Sequence, residues 1–528
     1  MKKLSAALFS CLFLLVLFTG CGNQISFTWM VDHVPANLDP QLAASGSELT
    51  AVTNLYSGLV RLNSGGEPQP ECAQSWEISN GGLTYTFYLK PELTYTKLKH
   101  HEEEYSLTAK DFVFAFQRIY QAETESPYTG TFSAIRNSLS VLAGQAAPNS
   151  LGVSAPDDYT VVFQLDRPDP EFLAKLALPG AMPCNESFFN QAKGAYGLAA
   201  RGSISKNILA NGPFRLYNWN ENGLFLRRSG SGSQITSLRM VLNATGSPAT
   251  SDAPEVKPLA GADLVTQGKA TAALSDSAET PGYASIPYTA TTWALTFNTQ
   301  NPLLAAPELR QALAACIQDS DFTFPAGGQP AQGLVPPAVT VEGKPYRELV
   351  GNSLSYFQSP VELCRAGLSA AQADRFSDIS LIMPAGHGCL PAAEAMNQQW
   401  QKQLGAFSAF FSLKELPPEE FYQAVATGNY QIALVPFSPV SNSAAELLSQ
   451  AAVTGISIGE AADALASLQQ GTHTAAQLAQ IERTVLAEAL VVPLWYQSKS
   501  LTMQPGVDGL VFRPFGPVLD LTWASYSK

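Results

Sequence analysis

Apolar and polar positions along the chain follow two periods, one typical of strands and one typical of helices. In LTYTFYLK, residues 83–90, apolar and polar side chains alternate after an Asn-Gly-Gly turn, which predicts a half-buried antiparallel strand. Further on, Thr108 and Asp111 form a capping-box pattern, and apolar residues then recur at helical spacing up to Ile119. This segment therefore predicts a helix that packs one face inward.

The same mixture of elements continues to the end of the chain. NGPFRLYNWNENGLFLRR has two alternating stretches around residues 218–223 and predicts a hairpin, whereas residues 245–282 are rich in Ala, Ser, Thr and Pro and predict loops and short exposed elements. Helical spacing begins at Pro307 and again at Ala475. Short strands are predicted for DISLIMP, ISIG and VVPLWYQ. The 528 residues allow about three or four domains of mixed α/β structure.

The N-terminal segment predicts export. Two lysines precede an apolar run at residues 4–18, which is shorter than the roughly 20 residues of a membrane-spanning helix and is typical of a signal peptide. LFTGCGN, residues 17–23, resembles the lipobox of bacterial lipoproteins, which implies a signal peptide at 1–20 and a diacylglyceryl group on the Cys21 sulfur. The alternative is an ordinary secretory signal that is cleaved nearby, with Cys21 incidental.

Charge and cysteine content narrow the possible functions. The net charge of -13 and the pI near 4.9 argue against a nucleic-acid partner, because phosphate binding needs clustered Lys and Arg. Beyond Cys21 the number of cysteines is odd and no CxxC pair occurs, so a complete disulfide framework is excluded. HHEEE at residues 100–104 could suggest metal ligands, but adjacent histidines in a strand point to opposite faces and acidic residues in a polar turn are usually solvated. The sequence predicts neither a metal site nor another cofactor.

Several motifs resemble, in the same order, those of the family-5 solute-binding proteins, which include the oligopeptide-, dipeptide- and nickel-binding receptors of ABC importers. The matching segments are NLDPQ at 37–41, LYSGLV at 55–60, PECAQSWEISNGGLTYTFYLK at 70–90, TAKDFVFAFQR at 108–118, NGPFRLYNW at 211–219, ALTFNTQNPLL at 294–304, ELRQALAACI at 308–317 and PLWYQ at 493–497. A single motif carries little weight, but their number, order and spacing extend over the whole mature chain. We therefore expect a member of this family.

The resemblance implies an α/β fold of the two-lobed periplasmic-binding-protein type II class, the Venus-flytrap fold. Its two lobes are joined by two chain crossings and close over a ligand, and an extra mixed domain is inserted in the first lobe. The expected boundaries are 1–20 for the signal peptide, 21–56, 172–285 and 490–528 for lobe I, 57–171 for the inserted domain, and 286–489 for lobe II.

The resemblance also implies a function without covalent chemistry. We expect a monomer that is lipid-anchored through Cys21 at the outer face of the bacterial cytoplasmic membrane, where it captures peptides or a peptide-like small molecule for an ABC permease. The alternative is a peptide-sensing receptor lipoprotein that signals and does not load a permease. An enzyme is disfavoured, because GISIG at 455–459 does not lead into a helix as a nucleophile elbow does and no histidine stands where a catalytic triad needs one.

One departure from the family concerns the ligand's amino terminus. Peptide-binding relatives typically hold it with the Asp of a G-W-x-x-D-Y segment, but in the equivalent stretch here Phe437 replaces the Trp and Val440 replaces the Asp. A valine cannot balance an ammonium group, and a buried unpaired charge is costly. Residues 421–450 contain a single charged residue, Glu446. The resemblance therefore implies an uncharged or apolar ligand, or a peptide whose termini are blocked or held elsewhere.

The other candidate ligand contacts also come from family positions. The loop after NLDPQ lines the cleft in relatives and contains Ser45 and Gly46, while Trp293 and Phe437 are candidate aromatic walls and Asn442 offers an amide near the missing Asp. Each has a structural alternative, because aromatic residues on strands belong to a core more often than to a ligand site. Other aromatic residues are assigned to the core outright: Trp76, Trp219, Trp495, Tyr85 and Phe87.

Overall fold

A computed structural model describes most of the chain. The described residues are 25–31, 33–96, 104–192, 194–198, 207–229, 235–243, 261–276, 280–318, 324–439, 441–452, 459–468, 473–516 and 518–527. The signal peptide, Cys21, His100, His101, Val440 and most of GISIG lie outside these residues. The predictions that concern them therefore stay predictions.

Strands and α-helices are numbered here in chain order over the described residues. The strands are β1 Ile25–Val31, β2 Val60–Leu62, β3 Pro68–Pro70, β4 Ala73–Ser79, β5 Thr84–Leu89, β6 Val153–Asp157, β7 Thr160–Gln164, β8 Phe214–Asn220, β9 Gly223–Arg228, β10 Ile235–Leu242, β11 Ala272–Ser275, β12 Ala284–Phe297, β13 Gly328–Pro330, β14 Thr340–Val341, β15 Lys344–Pro345, β16 Ser380–Pro384, β17 Ser412–Leu416, β18 Ile432–Phe437, β19 Val491–Met503, β20 Val507–Asp508, β21 Val511–Arg513, β22 Val518–Asp520 and β23 Ser525–Tyr526. The α-helices are α1 Gly46–Leu55, α2 Ala109–Ile119, α3 Ser138–Leu142, α4 Phe172–Lys175, α5 Glu186–Ala192, α6 Gly261–Thr266, α7 Pro307–Ile317, α8 Tyr346–Val350, α9 Pro360–Ala370, α10 Leu390–Leu404, α11 Pro418–Ala426, α12 Ala444–Ala452, α13 Glu460–Ser467 and α14 Ala475–Ala487.

An 11-stranded sheet runs through both lobes. Its order is β17-β16-β18-β12-β19-β11-β1-β10-β9-β8, with β13 beside β19. The two long strands β12 and β19 pair antiparallel from Ala284 opposite Met503 to Thr296 opposite Val491. On one side β11 pairs with residues 500–503, at the end of β19, and on the other side β18 pairs with the end of β12. The long strands β12 and β19 therefore connect the lobes.

The second lobe places a core on each face of its part of the sheet. Along β12, Trp293 and Leu295 belong to one cluster and Ala294 belongs to the other, as the alternation of strand side chains requires. Helices α7, α9 and α10 cover the first cluster, while α11 to α14 cover the second. The sheet is therefore buried on both faces in this lobe.

The first lobe has its own core and includes the chain's C-terminal segment. Strands β4, β5, β6 and β7 form a separate antiparallel sheet against α2, where the rings of Phe116 and Phe163 meet edge to face with centroids 5.0 Å apart. Near the C-terminus, Asp520 accepts a 2.8 Å hydrogen bond from Arg61, and the Asn54 amide binds the carbonyl of Leu519. These buried contacts hold the last strands against the first lobe.

The local patterns predicted most of these elements. The strand at 84–89, the Thr108 capping box, the β8–β9 hairpin, α7 and α14 are confirmed. The prediction of loops and short exposed elements is wrong for β11, a strand of small residues in the middle of the large sheet. Its neighbour Gly261 shows how close the packing is, since a Cβ there would lie 1.6 Å from the Leu274 carbonyl oxygen. VVPLWYQ forms a strand as predicted, but that strand continues to Met503.

Candidate functional site

The parallel strands of both lobes end near the place where the lobes join. In the second lobe β18 runs parallel to β16, and its last residue, Phe437, lies opposite Thr292, where β12 enters that lobe. In the first lobe β11 runs parallel to β1, and its last residue, Ser275, lies opposite Ser500, where β19 reaches that lobe. Open α/β sheets bind ligands at the carboxyl ends of their parallel strands. The loops after these strands therefore form the two walls of a candidate binding cleft.

Between the lobes, β12 and β19 carry several small hydroxyl side chains. We call residues 288–291 and 497–499 the hinge. The register shifts between Thr289 and Thr291, and such an irregularity bends a strand. The Thr289 and Ser498 hydroxyl oxygens are 2.8 Å apart, and those of Thr291 and Ser438 are also 2.8 Å apart. The hinge is thus a connection of two long strands, at which the ring of Tyr288 also packs against that of Phe512 with centroids 5.2 Å apart.

On the first-lobe wall, Ser45 and Gly46 form the start of α1. The Ser45 hydroxyl accepts a hydrogen bond from the backbone N–H of Glu48 at 3.4 Å, and the Glu48 carboxylate accepts one from the Ser45 N–H at 3.2 Å. The same carboxylate accepts the N–H of Asn37 at 3.1 Å. The capping box therefore fixes the loop before α1, and ligand contacts from Ser45 and Gly46 stay predictions.

A buried ion pair supports this loop from below. Asp39 accepts a hydrogen bond from Arg118 at 2.5 Å, and Arg118 also donates to the Gln41 side-chain oxygen at 2.6 Å. The Gln41 amide in turn donates to the carbonyls of Gly180 and Met182. Sequence reasoning missed this support, although Asp39 lies in NLDPQ and Arg118 ends TAKDFVFAFQR, because only the fold brings the two motifs together.

On the second-lobe wall, both candidate aromatic residues pack inside the lobe. Trp293 is 4% exposed, and its ring lies between Trp495, at a centroid distance of 5.7 Å, and His387, at 5.5 Å. Phe437 is 3% exposed and belongs to the cluster beneath α12. The structure thus brings both to the strand ends that border the cleft but gives both a core role, and contact with a ligand stays a prediction for each.

Asn442 lies in the exposed loop after β18. Its side-chain oxygen accepts the backbone N–H of Thr340 at 2.8 Å, and its amide donates to the Thr340 hydroxyl at 2.5 Å. The residue therefore ties two loops of the second lobe together beside the position of Val440, which lies outside the described residues. Its ligand role stays a prediction.

Two carboxylates, Glu171 and Glu446, come from opposite lobes and interact through their charges. Glu446, in the first turn of α12, accepts a short hydrogen bond from the Ser441 hydroxyl. In the first lobe, burial among protein atoms raises the pKa of Glu171. The negative charges of Asp169 and Glu446 raise this pKa further, whereas the positive charge of Lys175 lowers it. The Glu171 side chain is nevertheless 45% exposed, a combination that fits the wall of a cleft. Local sequence patterns gave no signal for Glu171, because its relation to Glu446 exists only across the lobes.

Two cavities lie within the second lobe, apart from the cleft walls. One, of about 420 Å³, is lined mainly by apolar residues around the start of β19, such as Leu494 and Phe324. The other, of about 490 Å³, lies between β16, β17 and α11 and includes Lys414 and Glu420. Neither lining includes a candidate ligand residue, so these cavities do not enter the proposed site.

The described part of the chain contains neither a candidate metal site nor a reactive thiol. No group of three or more His, Cys, Asp or Glu residues there is arranged to hold a metal ion. Burial raises the pKa of the Cys72 thiol to about 12, which keeps it protonated and unreactive. The described cysteines are all free and buried: Cys72, Cys184, Cys316, Cys364 and Cys389. Within the same residues, the search for a helix of membrane-spanning length and apolarity finds none.

Comparison with protein families classifies the chain as a whole. The model of the bacterial extracellular solute-binding proteins, family 5 Middle, matches residues 67–456. The chain belongs to this family. The family expected from the motifs is therefore confirmed. Members of this family are substrate-binding proteins and not enzymes.

Individual relatives match from about three quarters of this family-5 protein to nearly all of it. It is 25% identical over 514 residues to the probable deoxycholate-binding periplasmic protein YgiS of Escherichia coli K12, covering 93% of this chain and 91% of the relative. It is 25% identical over 416 residues to the murein peptide-binding protein MppA of the same organism, covering 76% and 74%. The structure of Listeria monocytogenes OppA bound to peptide superposes with a TM-score of 0.78 at 20% identity, covering 96% and 100%. This likeness confirms the expected two-lobed fold.

Proposed function

We propose that this protein captures peptides, or a peptide-like and weakly charged ligand, between its lobes and delivers it to an ABC importer. The observation that carries the proposal is the pair of facing walls, each built from the carboxyl ends of parallel strands on either side of a two-stranded hinge. The relatives support a peptide ligand, because MppA is named as a murein peptide-binding protein.

The charge of the second-lobe wall sets the ligand's chemistry. Residues 421–450 carry one charged side chain, Glu446, and this carboxylate already accepts a hydrogen bond from Ser441. Val440 offers no countercharge for an amino terminus, and Glu446 with Glu171 would repel a carboxylate. We assign the ligand contacts to these residues: Ser45, Gly46, Trp293, Phe437, Val440 and Asn442.

A lipid on Cys21 would hold the protein at the outer face of the cytoplasmic membrane as a monomer beside its permease. Burial of acyl chains contributes about 0.8 kcal/mol per CH₂ group, so two chains give a stable anchor where one gives marginal binding. A receptor that signals and does not load a permease would use the same cleft and anchor. Loss of ligand uptake after deletion of the protein separates import from signalling.

Terminal charge provides the sharpest test of the proposed ligand class. Tetra-alanine with free termini and its N-acetylated, C-amidated counterpart differ only in their end groups. We expect the capped peptide to bind at least about tenfold more tightly, a difference of about 1.4 kcal/mol, because the free ammonium has no partner at Val440. Isothermal titration calorimetry on the chain from Asn23 measures both affinities.

The matched control is Val440→Asp, which restores an acidic side chain at this position. We expect the substitution to shift the preference toward the peptide with a free amino terminus by a similar factor. Tighter binding of the free peptide to the unaltered chain would contradict the proposal and would transfer the role of countercharge to Glu446 or Glu171.

A further inference from the structure

The end of the large sheet that lies farthest from the second lobe carries a basic face on an acidic protein. Arg215 of β8 lies directly opposite Arg227 of β9, which lies opposite Ser237 of β10. Arg239, two residues further along β10, therefore projects from the same face of the sheet. All three arginines are exposed. We call Arg215, Arg227 and Arg239 the arginine face.

Aromatic rings hold two of these guanidinium groups in place. Arg227 lies over the ring of Tyr217 at 3.4 Å from the centroid, and Arg239 lies over the ring of Phe225 at 5.6 Å. Tyr217 is 58% exposed, so this pair stands at the surface. Stacking on a ring orders a guanidinium group while leaving its N–H donors free to meet an anion.

Among the described residues, no acidic side chain forms an ion pair with the arginine face. The ion pairs among the described residues do not include its members, and residues 214–229 with 235–243 contain a single acidic side chain, Glu221 in the hairpin turn. Like charges directly opposite on neighbouring strands are destabilising. The pairing of Arg215 with Arg227, in a chain with 44 acidic and 31 basic residues, therefore indicates an anionic partner outside the protein.

The arginine face also lies next to the expected lipid anchor. Ser26 of β1 pairs with Ser237, so Ser26, Ser237, Arg227 and Arg215 form one row across four strands. At about 4.8 Å per strand, the row places Arg215 about 14 Å from Ser26. The five residues from Cys21 to Ser26 can span at most about 18 Å. An acylated Cys21 would thus keep the arginine face within reach of the membrane surface.

We propose that the arginine face docks on anionic phospholipid headgroups of the membrane that holds the anchor. The inference rests on the proposed lipidation of Cys21 for its setting. The net charge of -13 repels the rest of the protein from an anionic surface, so that the first lobe faces the membrane. The second lobe lies at the opposite end of the sheet and remains free to move about the hinge.

Vesicle binding tests the proposal without the lipid and without a cleft ligand. Every contact described above lies after residue 24, so a chain that begins at Asn23 keeps the complete described fold. Its partitioning onto vesicles of phosphatidylcholine and onto mixed phosphatidylcholine and phosphatidylglycerol vesicles is measured by sedimentation at low salt. Each arginine near an anionic surface strengthens binding by about fivefold, so Arg215→Gln, Arg227→Gln and Arg239→Gln together should weaken binding to the mixed vesicles on the order of 100-fold.

A second triple variant controls for net charge. Arg365→Gln, Arg375→Gln and Arg483→Gln remove three exposed positive charges from the second lobe, and we expect binding within about twofold of the unaltered chain. Equal losses in the two triple variants, or equal partitioning of the unaltered chain onto the two vesicle types, would overturn the proposal. Unchanged binding of capped tetra-alanine by both variants would show that the cleft is intact. A failure of the docking proposal can therefore be distinguished from a failure of the proposed peptide-binding function.

Discussion

Replacement of Glu482 by glutamine is expected to lower the free energy of unfolding by about 3–5 kcal/mol. Glu482 is fully buried and accepts two hydrogen bonds from Arg347, each of 2.5 Å. It also accepts the backbone N–H groups of Leu334 at 2.8 Å and Val335 at 3.0 Å. A glutamine keeps the shape but turns an amide donor toward other donors and leaves the Arg347 charge buried without a countercharge.

Two variants separate this ion pair from a general effect of substitution. Arg483→Gln alters an exposed neighbour on the same helix and should change the free energy of unfolding by no more than about 0.5 kcal/mol. Glu482→Gln combined with Arg347→Met removes both charges but keeps a side-chain acceptor for the two backbone N–H groups, and should recover part of the loss. Urea denaturation measures all three proteins, and a Glu482→Gln protein as stable as Arg483→Gln would refute the assigned role of the pair.

The replacement Arg118→Met is expected to destabilise the first lobe by a similar amount, about 3–5 kcal/mol. It leaves the Asp39 carboxylate, which is nearly fully buried, without its partner at 2.5 Å. It also removes the guanidinium group that lies over the Phe189 ring, 4.1 Å from the centroid. Because Asp39 and Gln41 hold the loop before Ser45, we expect weaker binding of capped tetra-alanine as well.

Lys110→Met is the matched control on the same helix. Lys110 forms an exposed ion pair with Asp158 at 2.9 Å, and exposed pairs contribute between about 0 and 1 kcal/mol. We expect this variant to keep both stability and peptide affinity close to those of the unaltered chain. Equal behaviour of the Lys110 and Arg118 variants would show that the buried pair does not support the cleft wall.

Elements with strong local signals could be predicted from the sequence. Thr108 and Asp111 specify a helix start through their own side chains, and the β8–β9 hairpin follows from alternation around an Asn-rich turn. β11 has the sequence AALS, whose small side chains resemble a loop composition. Only its position between β1 and β19 makes it a strand, and that position depends on residues more than 200 positions away.

The candidate site was less accessible to sequence reasoning for the same reason. Family positions led to Trp293 and Phe437, whose ligand role stays a prediction, but not to the core contacts that bury their rings. Glu171 escaped notice because its charge interaction with Glu446 joins residues far apart in the sequence. The hinge and the walls arise from pairing between strands that are far apart in the sequence. The local pattern of a strand does not reveal which distant strand pairs with it.

The measurement that tests the central claim most directly is native mass spectrometry of the chain from Asn23, purified without denaturation. The bound mass is then released by denaturation and identified. We expect one ligand per chain that is uncharged or weakly charged, such as a blocked peptide or a largely apolar small molecule. A mixture of peptides with free amino termini would contradict the proposed ligand class, because such ligands need a countercharge that Val440 does not supply.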